Sequence, residues 1–399
     1  MKKESLEALL DKMTLKEKVG QLVQLSPNFF EESLDSYLTG PMQDIDMTDE
    51  DLYTIGSTLN IQNKEQAYNI QKTYLENNRL KIPLLIMADV IHGYKTIFPI
   101  PLAIGSSWNP SLVHDIADLS ALEASSEGVH ITFSPMVDLV RDPRWGRVLE
   151  STGEDTYLNS VYAKEFVSGY QGSSDLSDDP TKIASCVKHF IGYGLSEAGR
   201  DYNRVDMSDL EMYENHLPAF RSALEAGAKL VMTSFNVIHG IPVTGNKNLL
   251  ENILRKELDF DGVLISDWNA VGELIPNGVA ENHKEAALKS IEAGVDIDMM
   301  ALSYYRYLEE LAKESSEILA LINTAVWRVL TLKNELGLFE NPFRGFNNQV
   351  KMDNHRDKAR EIASKTMVLL ENDNLLPLKR EANIGLIGPF ADNHDLLGA

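Results

Sequence analysis

Ser266-Asp267-Trp268 closes the apolar run Gly262-Val263-Leu264-Ile265 and so sets a carboxylate and an indole at the mouth of a buried strand. In a parallel barrel the reactive groups sit at that end of the strands. Three more segments pass from apolar to polar in the same way: Leu84 to Asp89, Ile183 to His189 and Leu230 to Asn236. Cleaving a glycosidic bond takes two carboxyl functions, one attacking or assisting at the anomeric carbon and one protonating the leaving oxygen. Asp267 is the candidate for the first, against the plainer role of capping a helix over Asn269 to Leu274. Trp268 offers an apolar face to a sugar ring, or simply packs at the rim.

Lys188-His189-Phe190 ends another strand, and a lysine placed there is costly unless a carboxylate or ligand hydroxyls meet it. Asp89 stands before Ile91-His92-Gly93, where glycine permits close backbone approach, although an aspartate there also suits a turn. In Arg141-Asp142-Pro143-Arg144-Trp145-Gly146-Arg147, Arg147 is placed to donate twice to vicinal hydroxyls or to a carboxylate. Arg141 and Arg144 are expected in solvent or paired with Asp142 and Glu150. No HExxH, paired cysteine ligands or EF-hand spacing supports a metal, and no GxxxxGK[ST] or GxGxxG at a strand–helix turn supports a nucleotide, so no cofactor is expected. The Gly-x-Ser-x-Gly elbow of serine hydrolases is missing too.

These residues need a frame, and short apolar runs alternating with helical spacing supply it. Strands are expected at Ile55–Leu59, Pro83–Ala88, Ile131–Met136, Ile183–Lys188, Leu230–Ser234, Val263–Ser266 and Val295–Met299, with an eighth unassigned. Thr14 and Glu17 make a capping box ahead of Val19, Leu22 and Val23. Such alternation predicts an α/β chain with parallel strands, and its length favours a closed (β/α)8 TIM-like barrel over an open sheet. One long helix is expected over Tyr304–Leu338, a linker from Asn341, a helix over Lys358–Val368 and a strand over Asn383–Ile387. The expected division is a barrel over 1–340, a linker over 341–365 and the truncated start of a second α/β domain over 366–399.

Of 399 residues 43% are hydrophobic, enough for one large core and part of another. A formal charge of -23, from 37 basic against 60 acidic residues, argues against nucleic acid and anionic membranes as partners. No run reaches the roughly twenty apolar residues of a membrane span, and the amino terminus lacks the apolar centre of a secretory signal. With one cysteine, Cys186, a cytoplasmic location is expected.

Taken in order, Met13 to Lys18, Asp89-Val90-Ile91-His92-Gly93, Arg144-Trp145-Gly146-Arg147 with Glu150, Gly153-Glu154-Asp155, Lys188-His189-Phe190, Asp201-Tyr202, Val205 to Ser208, Met232 to Pro242, Ser266-Asp267-Trp268 and Asn372 to Pro377 resemble glycoside hydrolase family 3. The resemblance implies a (β/α)8-type barrel followed by an α/β sandwich, acting on β-linked sugars by a retaining double displacement. It implies Asp267 as nucleophile, with Asp89, Arg147, Lys188 and His189 holding the non-reducing-end sugar and Met232 and Trp268 lining its subsite. The partner is then a small β-glucoside or oligosaccharide, and a homo-oligomer is left open. Two departures stand out. Phe235 replaces a tyrosine common in the family, and Ile191 to Glu197 lacks the Asp-His dyad of the β-N-acetylglucosaminidase branch. The acid/base of β-glucosidase-like members lies in the second domain, so here it is expected beyond this chain. Alternatives are a catalytically impaired sugar-binding fragment, a β-xylosidase or 1,2-β-oligoglucan glucosidase, and an aldolase using Lys188 as a Schiff-base amine. Outer subsites are expected from the acidic insertion over Phe29–Asp51.

Overall fold

The computed structural model describes residues 1–30, 47–173, 175–389 and 391–392. Among the described residues eleven strands form: β1 Val23–Leu25, β2 Ser57–Leu59, β3 Leu85–Ala88, β4 Ile131–Thr132, β5 Ala184–Phe190, β6 Arg204–Val205, β7 Leu230–Thr233, β8 Val237–Ile238, β9 Ile241–Pro242, β10 Val263–Ile265 and β11 Asp298–Met299. Eight of them run in the order β10-β7-β5-β4-β3-β2-β1-β11, every neighbour parallel. A further parallel bridge, Ile265 to Ile297, joins the two ends into a ring. The closed barrel expected from the alternation is therefore present, and β6, β8 and β9 make a separate small sheet.

Helices cross between successive strands, and their first turns carry the expected chemistry. Asn63, Asp155 and Asn282 accept from the backbone of Gln66, Leu158 and Glu285, and Pro110 opens its helix at a position where a missing N–H costs nothing. Thr14 and Glu17 form the capping box in both directions. Alternation along the strands separates two cores. Leu85 and Met87 join Ile131, Cys186, Met232 and Ile265 in one cluster, whereas Ile86 and Ala88 pack with Ile116, Ala121 and Tyr162 of the covering helices.

Four sequence expectations change here. The eighth strand is β1, hidden because Val23 had been absorbed into the apolar stripe of the preceding helix, which ends at Gln21. The long helix breaks at Ser315, whose extended backbone ends Ser303–Glu314 and whose hydroxyl caps Ser316–Glu335. No ladder forms over Asn383–Ile387, since a strand needs a neighbour and these side chains are exposed, Ile387 at 94%. The helix near the expected linker spans Met352–Lys365. Of the acidic insertion, residues 31–46 lie outside the described residues. Among the described residues no helix is long and apolar enough to cross a membrane.

Candidate active site

Asp267 follows β10 directly, Asp89 follows β3, Lys188 and His189 belong to β5, and Arg147 lies in the loop after β4. All are at the carboxyl ends of barrel strands, where loops rather than packing set the chemistry. Strand β5 does something a regular strand cannot. Cys186 joins the inner cluster and Val187 the outer one, so Lys188 is due inward and His189 outward. A register shift between Val187 and Phe190 against β7 interrupts that alternation, and both Lys188 and His189 reach the site.

The ion pairs are short and enclosed. Lys188 Nζ donates to Asp89 Oδ1 at 2.9 Å and lies 3.9 Å from Glu150 Oε2. Arg147 forks onto Glu150 through Nε at 2.7 Å and Nη2 at 3.0 Å. Burial works to lower the pKa of Lys188, but Asp89 and Glu150 outweigh it and hold the ammonium above its ordinary value. Burial likewise opposes the charge on Glu150, and the Arg147 guanidinium and Lys188 overcome it, keeping the carboxylate below its ordinary range. Gly93 fixes the loop after Asp89: its φ is +116°, and a Cβ there would lie 1.9 Å from the Thr96 carbonyl oxygen.

Asp267 is the least compensated member. Its Oδ1 accepts from the Trp268 backbone N–H at 2.7 Å, while Oδ2 has no hydrogen-bond partner and lies 3.4 Å from His189 Nε2. Burial pushes its pKa up to about 6, with Arg147 and Lys188 pulling the other way. It does not cap a helix: Asn269 adopts φ +56° and the next helical turn begins at Gly272. His189 is neutral, held far below its ordinary pKa by burial and then by Arg147 and Lys188.

Around this centre lies an aromatic wall. Tyr193 meets His189 and Trp145 edge-on at centroid distances of 5.2 and 5.1 Å, Arg147 stands 5.8 Å from its ring centre, and Phe235 lies 5.8 Å away. Phe235 brings no hydroxyl, whereas Tyr193 turns its hydroxyl toward Asp201. Trp268 is 40% exposed at the rim, as a ring platform for a sugar requires. Met232 is buried at 2% within the inner core rather than on an open wall. Among the described residues no group of three or more His, Cys, Asp or Glu is arranged to hold a metal ion.

Sequence reasoning passed over three groups that the fold brings in. Glu150 had been offered to Arg141 or Arg144. It takes Arg147 instead, while Arg144 pairs with Asp142 and Arg141 with Glu211 at 2.7 Å each. The spacing of three between Arg147 and Glu150 was the available signal. Asp138, fully buried, bonds His189 Nδ1 at 2.7 Å, and a lone acid inside the apolar run Met136 to Val140 marked it. Tyr193 gave no signal that spacing could isolate.

A closed parallel barrel with carboxylates, two cations, a neutral imidazole and an exposed indole at the carboxyl ends of its strands has the layout of a (β/α)8 protein with its polar site where barrel enzymes keep theirs. Residues 14–332 match the model of the glycosyl hydrolase family 3 N-terminal domain, and the chain belongs to that family. A mutant β-glucosidase from Listeria innocua, solved in complex with laminaribiose, superposes with a TM-score of 0.92 at 52% identity, over 96% of this chain and 54% of that one. The periplasmic β-glucosidase of Salmonella typhimurium is 36% identical over 98% of this chain and 51% of its own length. A β-xylosidase of Formosa agariphila is 36% identical over 79% of this chain and 47% of its own. The chain thus spans about half the length of these relatives.

Proposed function

We propose that this chain carries the sugar-binding and nucleophilic half of a retaining β-glucosidase. Asp267 attacks the anomeric carbon and forms a covalent glycosyl-aspartate, which water then hydrolyses. Asp89 accepts hydrogen bonds from sugar hydroxyls, and Lys188, Arg147 and His189 fix the ring, with Trp268 at its rim. The observation that carries this reading is the position of Asp267 after β10, with an unpartnered carboxylate oxygen and two cations whose charge favours its ionised form. The Listeria complex with laminaribiose supports a β-linked glucose disaccharide as the substrate class.

The proton donor is placed beyond the barrel, as the family likeness implies. Residues 1–340 are then the barrel, 341–365 the linker and 366–399 the start of a second domain. Within the chain, Glu197 is a poor donor: it is exposed and paired with Arg204 at 2.8 Å, which keeps it below its ordinary pKa. Asp201 already accepts from Trp145 Nε1 at 3.0 Å. Without its donor the chain should release phenolate from an activated aryl glucoside far faster than it cleaves laminaribiose. Loss of a general acid costs about 10² to 10⁴ in rate. Comparable turnover of both substrates would contradict this and move the acid inside the chain. Accumulation of bound glucose with no covalent adduct would instead favour a sugar-binding fragment.

The Formosa relative motivates a second reading, a β-xylosidase, which a panel of nitrophenyl glycosides separates by whether glucoside or xyloside reacts faster. A cytoplasmic location follows from the single buried cysteine, whereas the Salmonella relative is named periplasmic; cell fractionation decides. A homo-oligomer belongs to the same proposal, and light scattering measures it.

A further inference from the structure

Asp138 is wholly given over to His189. The segment after β4 continues alongside β5: Lys188 donates to the Pro135 carbonyl at 3.0 Å, Val137 donates to the Lys188 carbonyl at 2.7 Å, and Met136 bridges Lys188 in parallel. Asn159 donates to the Val137 carbonyl at 2.9 Å and Ser151 to that of Asp138 at 2.7 Å, which fixes the backbone on both sides. From that frame Asp138 Oδ2 accepts the His189 backbone N–H at 3.1 Å and meets Nδ1 at 2.7 Å, while Oδ1 has no partner. Both side chains are buried to within 1%.

We propose that Asp138 is a positioning residue that holds His189 protonated on Nδ1, leaving the Nε2 lone pair to accept a hydrogen bond from a hydroxyl of the bound sugar beside Asp267. This rests on the reading of Asp267 as nucleophile. The oxygen that faces Nδ1 also accepts the His189 backbone N–H, as an ionised carboxylate does, and facing an ionised carboxylate Nδ1 is the donor. On the other side of the ring, Nε2 and Asp267 Oδ2 lie 3.4 Å apart and neither has a hydrogen-bond partner. Two acceptors facing one another call for a donor that reaches them, and a sugar hydroxyl is one. The charged and titratable groups around the pair are Arg147, Lys188, Glu150 and Asp267, with Tyr193 edge-on to the imidazole. Burial lifts Asp138 to about 7, opposed by the His189 N–H and by Arg147. With the tautomer so fixed, the site reads that hydroxyl as a donor, and a fluorine in its place cannot serve.

Long-range proton–nitrogen spectra of the whole chain read the tautomer, with His189 assigned through His189→Gln. The expected spectrum shows a protonated Nδ1 and a bare Nε2. In Asp138→Asn the amide oxygen keeps that place, accepting the backbone N–H, so the tautomer stays; in Asp138→Leu no acceptor faces Nδ1 and the proton is no longer held there. A bare Nδ1 in the unsubstituted chain would overturn the inference. Release of dinitrophenolate from dinitrophenyl β-glucoside should fall about 10²-fold in kcat/KM for Asp138→Leu, because the sugar is held in the wrong place. An unchanged rate overturns the inference as well. If Asp138→Leu does not fold, the spectrum of the unsubstituted chain still decides. If the unsubstituted chain releases no dinitrophenolate, it is the nucleophile reading that fails, and the tautomer is judged separately.

Discussion

Asp267 is held in a state that favours reactivity over stability. Its pKa rises from 3.8 to about 6 because burial strips water from the carboxylate faster than Arg147 and Lys188 replace it. A raised carboxyl pKa means that the protonated form favours the fold. That contribution is complete below pH 3.8 and is lost as pH climbs through about 6. Asp267→Asn keeps the shape and can still accept from Trp268. It should therefore raise stability above pH 7 by roughly 2 to 3 kcal/mol, taking 1.4 kcal/mol for each pH unit, and change little at pH 4. Thermal melts at the two pH values check this, and equal melting shifts at both would contradict it. The same variant should lose phenolate release on the order of 10⁴-fold. In the unsubstituted chain the rate of that step should rise with pH across an acid limb near 6, as the carboxyl ionises.

At the scale of elements, much of the frame was legible because hydrophobic period and capping are local. Thr14 with Glu17 signalled a helix start, and seven apolar runs marked seven of the eight barrel strands. What escaped depended on partners distant in sequence. The register shift in β5 against β7 is not distinguished by residues 184–190 alone, whereas the break at Ser315 carried a local capping signal in Ser315-Ser316 that the apolar period of the long helix overrode. Site residues at strand ends could be read for that reason, whereas Glu150 and Asp138 gain their meaning from Arg147 and His189. Lys333 shows the same limit. Its amino group is fully buried, donating to Gln21 Oε1 at 2.5 Å and the Gly56 carbonyl at 3.0 Å, with no carboxylate partner among the described residues. Burial depresses its pKa well below 10.5, so folding releases a proton and stability falls as pH drops from 10.5 toward neutrality. Relative to Lys333→Met, the unsubstituted chain should gain stability between pH 7 and pH 10. Parallel denaturation curves for the two chains would contradict this.

At the scale of the molecule, the site exists because the ring closes. Lys188 and Asp89 are 99 residues apart in sequence and His189 and Asp138 are 51 apart, yet each pair meets at 2.9 Å or less. The parallel bridge from Ile265 to Ile297 completes the ring on the side that carries Asp267. A formal charge of -23 accompanies a site whose two cations are already matched by Asp89 and Glu150, which suits a neutral sugar better than an anion. The central claim is that Asp267 bonds to the anomeric carbon. Incubating the chain with a deoxyfluoro glucoside bearing a good leaving group, then digesting it and sequencing the labelled peptide by mass spectrometry, tests that claim directly. A mass increase of one fluoroglucosyl group on Asp267 is the predicted result; the same group on any other side chain would contradict it.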